Sequence, residues 1–313
     1  MPGLVNAHTH VPMTLLRGYG GGHDLQHWLN DYIFPAEARL DDRCVAAGTA
    51  LGLAEMIASG TTCIADMYMH TGAVARTVLE SGVSANLSCG GVYFGAPEDF
   101  SPDACGDCRN QIALTEEWNG AGDGQIKVDA SIHAEYTSNP SLWEWMAGYA
   151  AEHGLGMHVH VSETRSEHES CLQKYGKTPV ALLDRYGVWV NGGTAAHCVW
   201  VSDAGYGASW PSRDITAVHN PVSNLKLASG AARVPRLLER GVNVALGTDG
   251  VASNNSHDLF EEMKLAAILH NGDRPGPLAA VTARQALAMA SRQRGAGPGT
   301  KHRASSPRAK RRT

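Results

Sequence analysis

The residues most suited to chemistry are histidines in pairs. His8-Thr9-His10 closes an apolar run that starts at Leu4. Side chains two apart on a strand face the same side, so both imidazoles point together. His158-Val159-His160 repeats the pattern, with Glu163 just beyond, and His197 and Asp249 each lie at the end of a further apolar run. A single His-x-His is most often a pair of satisfied histidines. Its recurrence with a carboxylate at other strand ends makes the borderline donor set of zinc or Fe(II). Left unpaired, so many buried polar groups would be costly to desolvate. Alternation does not choose between His158 and His160, which face the same way; their depth must decide.

These residues need elements to hold them. The patterning predicts strands over 4–10, 61–68, 84–94, 126–136, 155–163, 194–199, 215–221 and 242–249. Helices are predicted over 41–59, 109–118, 140–153, 166–186, 231–240, 258–270 and 278–290. Strands alternating with helices imply a parallel sheet. Eight of them in this length suit an α/β fold of the (β/α)8 TIM type, whose chemistry sits at the C-terminal ends of the strands. No GxGxxG opens a helix after the first strand, which removes the main argument for a doubly wound sheet. The segment 202–214 holds two glycines and a proline without apolar periodicity and reads as a loop.

Composition narrows the function classes. The 313 residues are 43% hydrophobic and 18% charged, which argues against disorder. No apolar run reaches the ~18 residues of a membrane helix, and no signal peptide is recognisable, so no membrane partner is expected. Seven irregularly spaced cysteines fit a reducing cytoplasm better than a disulfide scaffold. Cys105-x2-Cys108 has no second pair and reads as loop cysteines. Of the basic residues, eight lie in 291–313, which has no acid, leaving 18 against 31 acidic residues in 1–290. So acidic a body is a poor nucleic-acid binder. Residues 1–290 are expected to form the barrel, and 291–313 a basic tail, disordered or frame-shifted.

Five stretches carry a family resemblance: GLVNAHTHVPMTLLRG (3–18), HVHVSET (158–164), AAHCV (195–199), HNPVSNLKLASG (219–230) and LGTDGVASNN (246–255). In this order and spacing the chain resembles the amidohydrolase superfamily, in the branch that deaminates adenosine, S-adenosylhomocysteine and 5′-methylthioadenosine. The resemblance implies one divalent metal, zinc first and iron second, on His8, His10, His160 and Asp249. It makes His158 a deeper barrel residue, and Glu163 and His197, with Asp249, the catalytic acid–base groups. Trp28, Glu37, Arg109, His133, Glu163 and Ser253 fall where substrate contacts are expected. Family members also carry a small β-rich domain, most of which is not recognisable here.

The implied reaction is hydrolytic deamination of an adenosine-like nucleoside, a small-molecule partner, to an inosine-type product and ammonia. Another amidohydrolase reaction, such as triazine dechlorination or guanine deamination, uses the same residue pattern. A truncated metal-binding remnant without activity is a further reading. A homodimer through the outer helices is compatible with a barrel. Cys89 aligns with an arginine that contacts the far end of S-adenosylhomocysteine in that branch. A neutral thiol cannot replace a bidentate guanidinium, so this nucleoside is expected to be handled less well.

Overall fold

The computed structural model describes residues 3–202, 210–271 and 280–291. Parallel strands form its centre: β1 (Leu4–Thr9), β2 (Thr61–Met67), β3 (Ser84–Ser88), β4 (Ile126–Val128), β5 (Ala130–Ser131), β6 (Met157–Val161), β7 (Gly193–His197), β8 (Ile215–His219) and β9 (Asn243–Leu246). They pair in sequence order, β1-β2-β3-β4 and β5-β6-β7-β8-β9. Only Asp129 separates β4 from β5, so both occupy the place of the fourth expected strand. Every strand pair is parallel, as alternation with helices requires.

The last strand returns to the first. Thr9 and Asp249 form a parallel bridge, and the Asp249 amide donates to His8 O at 3.0 Å. Asn6 Nδ2 donates to Thr248 Oγ1 at 2.7 Å, and Thr248 N donates back to Asn6 Oδ1 at 2.9 Å. Gly247 sits at this junction because a Cβ there would lie 2.8 Å from His8 O. This is the strand order of the expected (β/α)8 barrel.

Helices cover the outside of the sheet. Helix Asp42–Ala58 starts where Asp41 accepts from the Cys44 amide, and Pro140–His153 starts with proline in its first turn. Apolar side chains from helices and strands fill two main clusters. Ala7, Val218 and Ala245 form a third, from three strands.

The structure corrects several expected elements. Residues 166–186 form two helices, Arg165–Tyr175 and Pro179–Arg185, because Gly176 adopts a left-handed cap and Pro179 begins the second. The third strand ends at Ser88, well short of 94. Helix Thr71–Ser81, which the patterning did not predict, buries Ala73, Val74, Ala75 and Val78. Cys105 caps helix Gly106–Trp118, and Cys108 lies inside it rather than in a loop. The expected loop at 202–214 and tail at 291–313 fall largely outside the described residues. Among the described residues no helix is long and apolar enough to cross a membrane.

Asn6 is fully buried, so its loss leaves the Thr248 amide without a partner. Asn6→Ala is expected to lower stability by about 1–3 kcal/mol, the cost of an unsatisfied buried group. Chemical denaturation measures it. A change below ~0.5 kcal/mol, ordinary for a surface site, would show that the β1–β9 junction does not depend on this pair.

Candidate active site

Hydrogen bonds fix the tautomers of the histidines at the strand ends. His10 Nδ1 faces only the carbonyl of Met67, at 2.5 Å, and His160 Nδ1 only that of His133, at 2.8 Å. Each Nδ1 must therefore carry the proton, which leaves Nε2 with a lone pair. A longer relay fixes His8. Ser88 Oγ donates to Asp66 O at 3.1 Å, so it accepts from His158 Nδ1 at 3.3 Å. His158 Nε2 is then an acceptor and takes the His8 Nδ1 proton at 2.8 Å. His8 Nε2 is left as a third lone pair, and it has no hydrogen-bond partner.

These lone pairs converge. His10 Nε2 lies 3.3 Å from His160 Nε2 and 3.1 Å from Asp249 Oδ1, and His8 Nε2 lies 3.4 Å from the same oxygen. Three imidazole lone pairs and a carboxylate oxygen at such distances repel unless a proton or a metal cation lies among them. The donor set, three nitrogens and one oxygen, is that of zinc or iron. His8, His160 and His197 form an overlapping donor group. Depth separates the second histidine pair: His158 supports His8 from below, while His160 reaches the converging donors.

The carboxylate is aimed as deliberately as the imidazoles. Asp249 Oδ2 accepts from Ser223 Oγ at 2.6 Å and Ser253 Oγ at 3.0 Å, which turns Oδ1 toward the histidines. Asp249, His197 and Ser162 all have left-handed backbones, with φ of 61°, 69° and 48°. Non-glycine residues hold that conformation only where the surroundings over-determine it, often at functional sites.

The electrostatics follow from burial and close partners. Burial pushes His8 down to about 4 and His160 well below the usual imidazole range. Burial also opposes charge on His10, but the adjoining Asp249 outweighs it and pushes His10 up to about 9. Burial likewise opposes charge on Asp249, yet the adjoining imidazoles of His10 and His8 hold its carboxyl well below the usual range. A proton between His10 and Asp249 and a divalent cation therefore compete for the same donors.

Above these groups lies a cavity of about 230 Å³. Glu163 and His197 stand at its inner end, with Glu163 Oε2 3.7 Å from His197 Nε2. His197 Nδ1 lies 2.8 Å from the side-chain Oδ1 of Asn224 and 3.3 Å from Asn220 Nδ2; the shorter contact takes its proton and leaves Nε2 as an acceptor. Burial pushes the Glu163 carboxyl up, against the pull of His197. His133 lines the wall with its ring 4.6 Å from that of His160, and burial pushes it down to about 3, so it is neutral. Trp28 and Glu37 also line the cavity, both nearly buried. Trp28 opens a π-helical turn, Trp28–Ile33, and its Nε1 donates to Tyr19 O at 3.1 Å. The lining includes Met13, Leu25, Leu29, Ile33 and Phe34 but, among the described residues, no lysine or arginine.

Two expected substrate contacts lie elsewhere. Arg109 is on the outer side of helix Gly106–Trp118, where its guanidinium donates to Asp103 O at 2.5 Å, away from the cavity lining. Ser253 holds Asp249 and does not line the cavity. Cys89, by contrast, does line it. Sequence reasoning missed Ser223 and Asn224, which hold Asp249 and His197. Both lie on the short helix Pro221–Lys226 inside HNPVSNLK, a stretch the sequence had already singled out. It also missed Tyr68 and Tyr136 on the cavity wall.

Fold and site together define a parallel α/β barrel with three imidazole nitrogens and one carboxylate oxygen converging at its strand ends, a donor set that could hold one metal ion. A model of the Amidohydrolase family matches residues 1–293, and the chain belongs to that family. It is 43% identical, over 93% of its length, to a 5-methylthioadenosine/S-adenosylhomocysteine deaminase of Dictyoglomus thermophilum. It is 44% identical, over 89% of its length, to a 5′-deoxyadenosine deaminase of Methanothermobacter thermautotrophicus. A crystal structure of an adenosine deaminase from Xanthomonas campestris with bound zinc superposes over 93% of the chain, with a TM-score of 0.84 and 36% identity. The chain spans 67%, 64% and 65% of these three proteins, about two thirds of each.

Purified protein is expected to carry about one zinc or iron ion per chain, since the donors make one mononuclear site. His10→Ala and Asp249→Ala should each abolish it in elemental analysis. Unchanged metal content in both variants would refute the donor set.

Proposed function

We propose that this chain carries the active site of a metal-dependent hydrolytic deaminase acting on adenosine-like nucleosides. The observation that carries the reading is the convergence of three imidazole lone pairs with Asp249 beneath a cavity whose inner end presents Glu163 and His197. The names of the similar proteins support the substrate class. His8, His10, His160 and Asp249 would hold the metal. Such a cation supplies the Lewis acidity that makes water nucleophilic near neutral pH.

The chain's own residues do the rest. Glu163, whose carboxyl burial pushes up, gives a proton to the ring nitrogen beside the carbon that bears the amino group. Attack at that carbon then places no full negative charge on the ring. His197 Nε2, held as an acceptor by Asn224, orients the attacking water. Asp249 takes the proton released by the water and hands it to the departing ammonia, while Ser223 and Ser253 keep its carboxylate in place. Trp28, Glu37 and His133 line the space for the remainder of the nucleoside. The absence of lysine and arginine from that lining favours substrates whose distal end carries no carboxylate.

Glu163→Gln keeps the shape but cannot donate a proton in the same way. It is expected to lower kcat by about 10²–10⁴-fold, the usual worth of general acid–base catalysis, with metal content unchanged. Near-normal turnover would sink the acid role. S-adenosylhomocysteine is expected to show a kcat/KM about 10–100-fold below that of adenosine or 5′-methylthioadenosine, the worth of one charged hydrogen bond. A preference for S-adenosylhomocysteine in steady-state assays would overturn the argument from Cys89 and the cation-free lining.

A further inference from the structure

The turn that carries Glu163 is held by a carboxylate for which the proposed chemistry has no use. Glu167 is buried on helix Arg165–Tyr175. Its Oε1 accepts from Ser162 N at 2.6 Å. Its Oε2 accepts from Glu163 N at 2.6 Å and from Thr164 N at 3.2 Å. Thr164 Oγ1 in turn accepts from Glu167 N at 3.1 Å, which completes a capping box. The clamped turn includes the left-handed Ser162. One side chain thus grips the peptide groups on both sides of Glu163.

Glu167 has a partner. Glu135, 3% exposed, brings its carboxyl into hydrogen-bonding contact with that of Glu167, while its Oε2 meets no protein donor. Two buried carboxyls in contact cannot both ionise. Three amides favour the charged form of Glu167, so the shared proton belongs to Glu135. Glu135 opens the short 3₁₀ turn Glu135–Thr137 after β5, between the cavity residues His133 and Tyr136. The proton therefore joins the loop after β5 to the turn after β6.

We propose that Glu135 and Glu167 are positioning residues, a carboxylic acid–carboxylate pair that clamps the 162–164 turn and so aims Glu163 into the cavity. The proposal rests on the role given to Glu163 above. Burial pushes both groups up, helped at Glu135 by the charge of Glu167 and at Glu167 by that of Glu163, while the hydrogen bond from Glu135 pulls Glu167 down. The titratable groups facing them are Glu163 in the clamped turn, Tyr136 beside Glu135, Cys171 on the helix of Glu167, and Cys198 after β7. None of these four is cationic. A raised carboxyl pKa means that the protonated pair is present below the ordinary carboxylate range and through its raised value. The proton that joins Glu135 to the clamp is then lost as pH rises past that value, and two charged carboxyls are left in contact.

Three variants of the full chain test this. Glu135→Gln supplies an N–H donor to Glu167 that does not titrate. It is expected to keep kcat within about threefold at neutral pH and to move the alkaline fall in activity upward, since its donor keeps the acid aligned. Glu135→Leu removes the donor and is expected to lower kcat by about tenfold or more with KM nearly unchanged, as misalignment of a reacting group costs rate. Glu167→Gln is read without substrate: amide hydrogen exchange at 162–164 is expected to quicken, while Glu135→Gln leaves it slow. An alkaline limb in Glu135→Gln identical to that of the unaltered chain, or unchanged exchange in Glu167→Gln, would overturn the proposal. If the unaltered chain turned over no nucleoside, the functional reading would fall, and the exchange comparison would still decide the clamp.

Discussion

The site exists because the end of the last strand meets the end of the first. The bond from the Asp249 amide to His8 O puts the only acidic donor of the convergent set beside the imidazoles of His8, in β1, and His10, just after it. Those donors are 239 or more residues apart in the chain, so no local element can bring them together. The Asn6–Thr248 pair and the bare backbone of Gly247 allow the strands to approach that closely. Fold stability and donor geometry are thus set at one place.

Around that junction, each reactive atom is aimed by a hydrogen bond on its far side. Backbone carbonyls orient His10 and His160, His158 orients His8, Asn224 orients His197, and two serines orient Asp249. Each bond fixes which nitrogen keeps a lone pair, and partners of this kind commonly tune a metal ligand's basicity. The lone pairs and the carboxylate oxygen would be costly to bury together without a cation. Left-handed backbone at Ser162, His197 and Asp249 adds local strain at three strand ends. The two large apolar clusters beneath and around the sheet are rigid enough to hold both costs.

Desolvation divides the labour among the buried acids. Asp249, beside two imidazoles, is held well below the usual carboxylate range, while burial pushes Glu163 toward its neutral form against the pull of His197. Two carboxyls in one site with opposite tendencies are the arrangement that lets one accept protons and the other give them. The cavity above is mostly apolar, and among the described residues its lining holds no lysine or arginine.

Much of this was legible in the sequence. His-x-His at 8–10 and 158–160 faces one way because strands have a period of two, and the alternation of strands with helices implied a parallel barrel with its chemistry at the strand ends. The donors His8, His10, His160 and Asp249 and the pair Glu163 and His197 were all visible in five short stretches. What spacing could not supply was depth and distance. His158 and His160 share a face, and only the stacking of strands put His158 beneath His8 and His160 among the donors. Arg109 stood at a plausible sequence position, yet its helix carries it to Asp103 and away from the cavity. Ser223, Asn224 and Glu135 act on residues 26 to 32 positions away, through contacts between loops of neighbouring strands. Local periodicity determines which side a residue faces; which loop it then touches is decided by the twist and closure of the whole sheet.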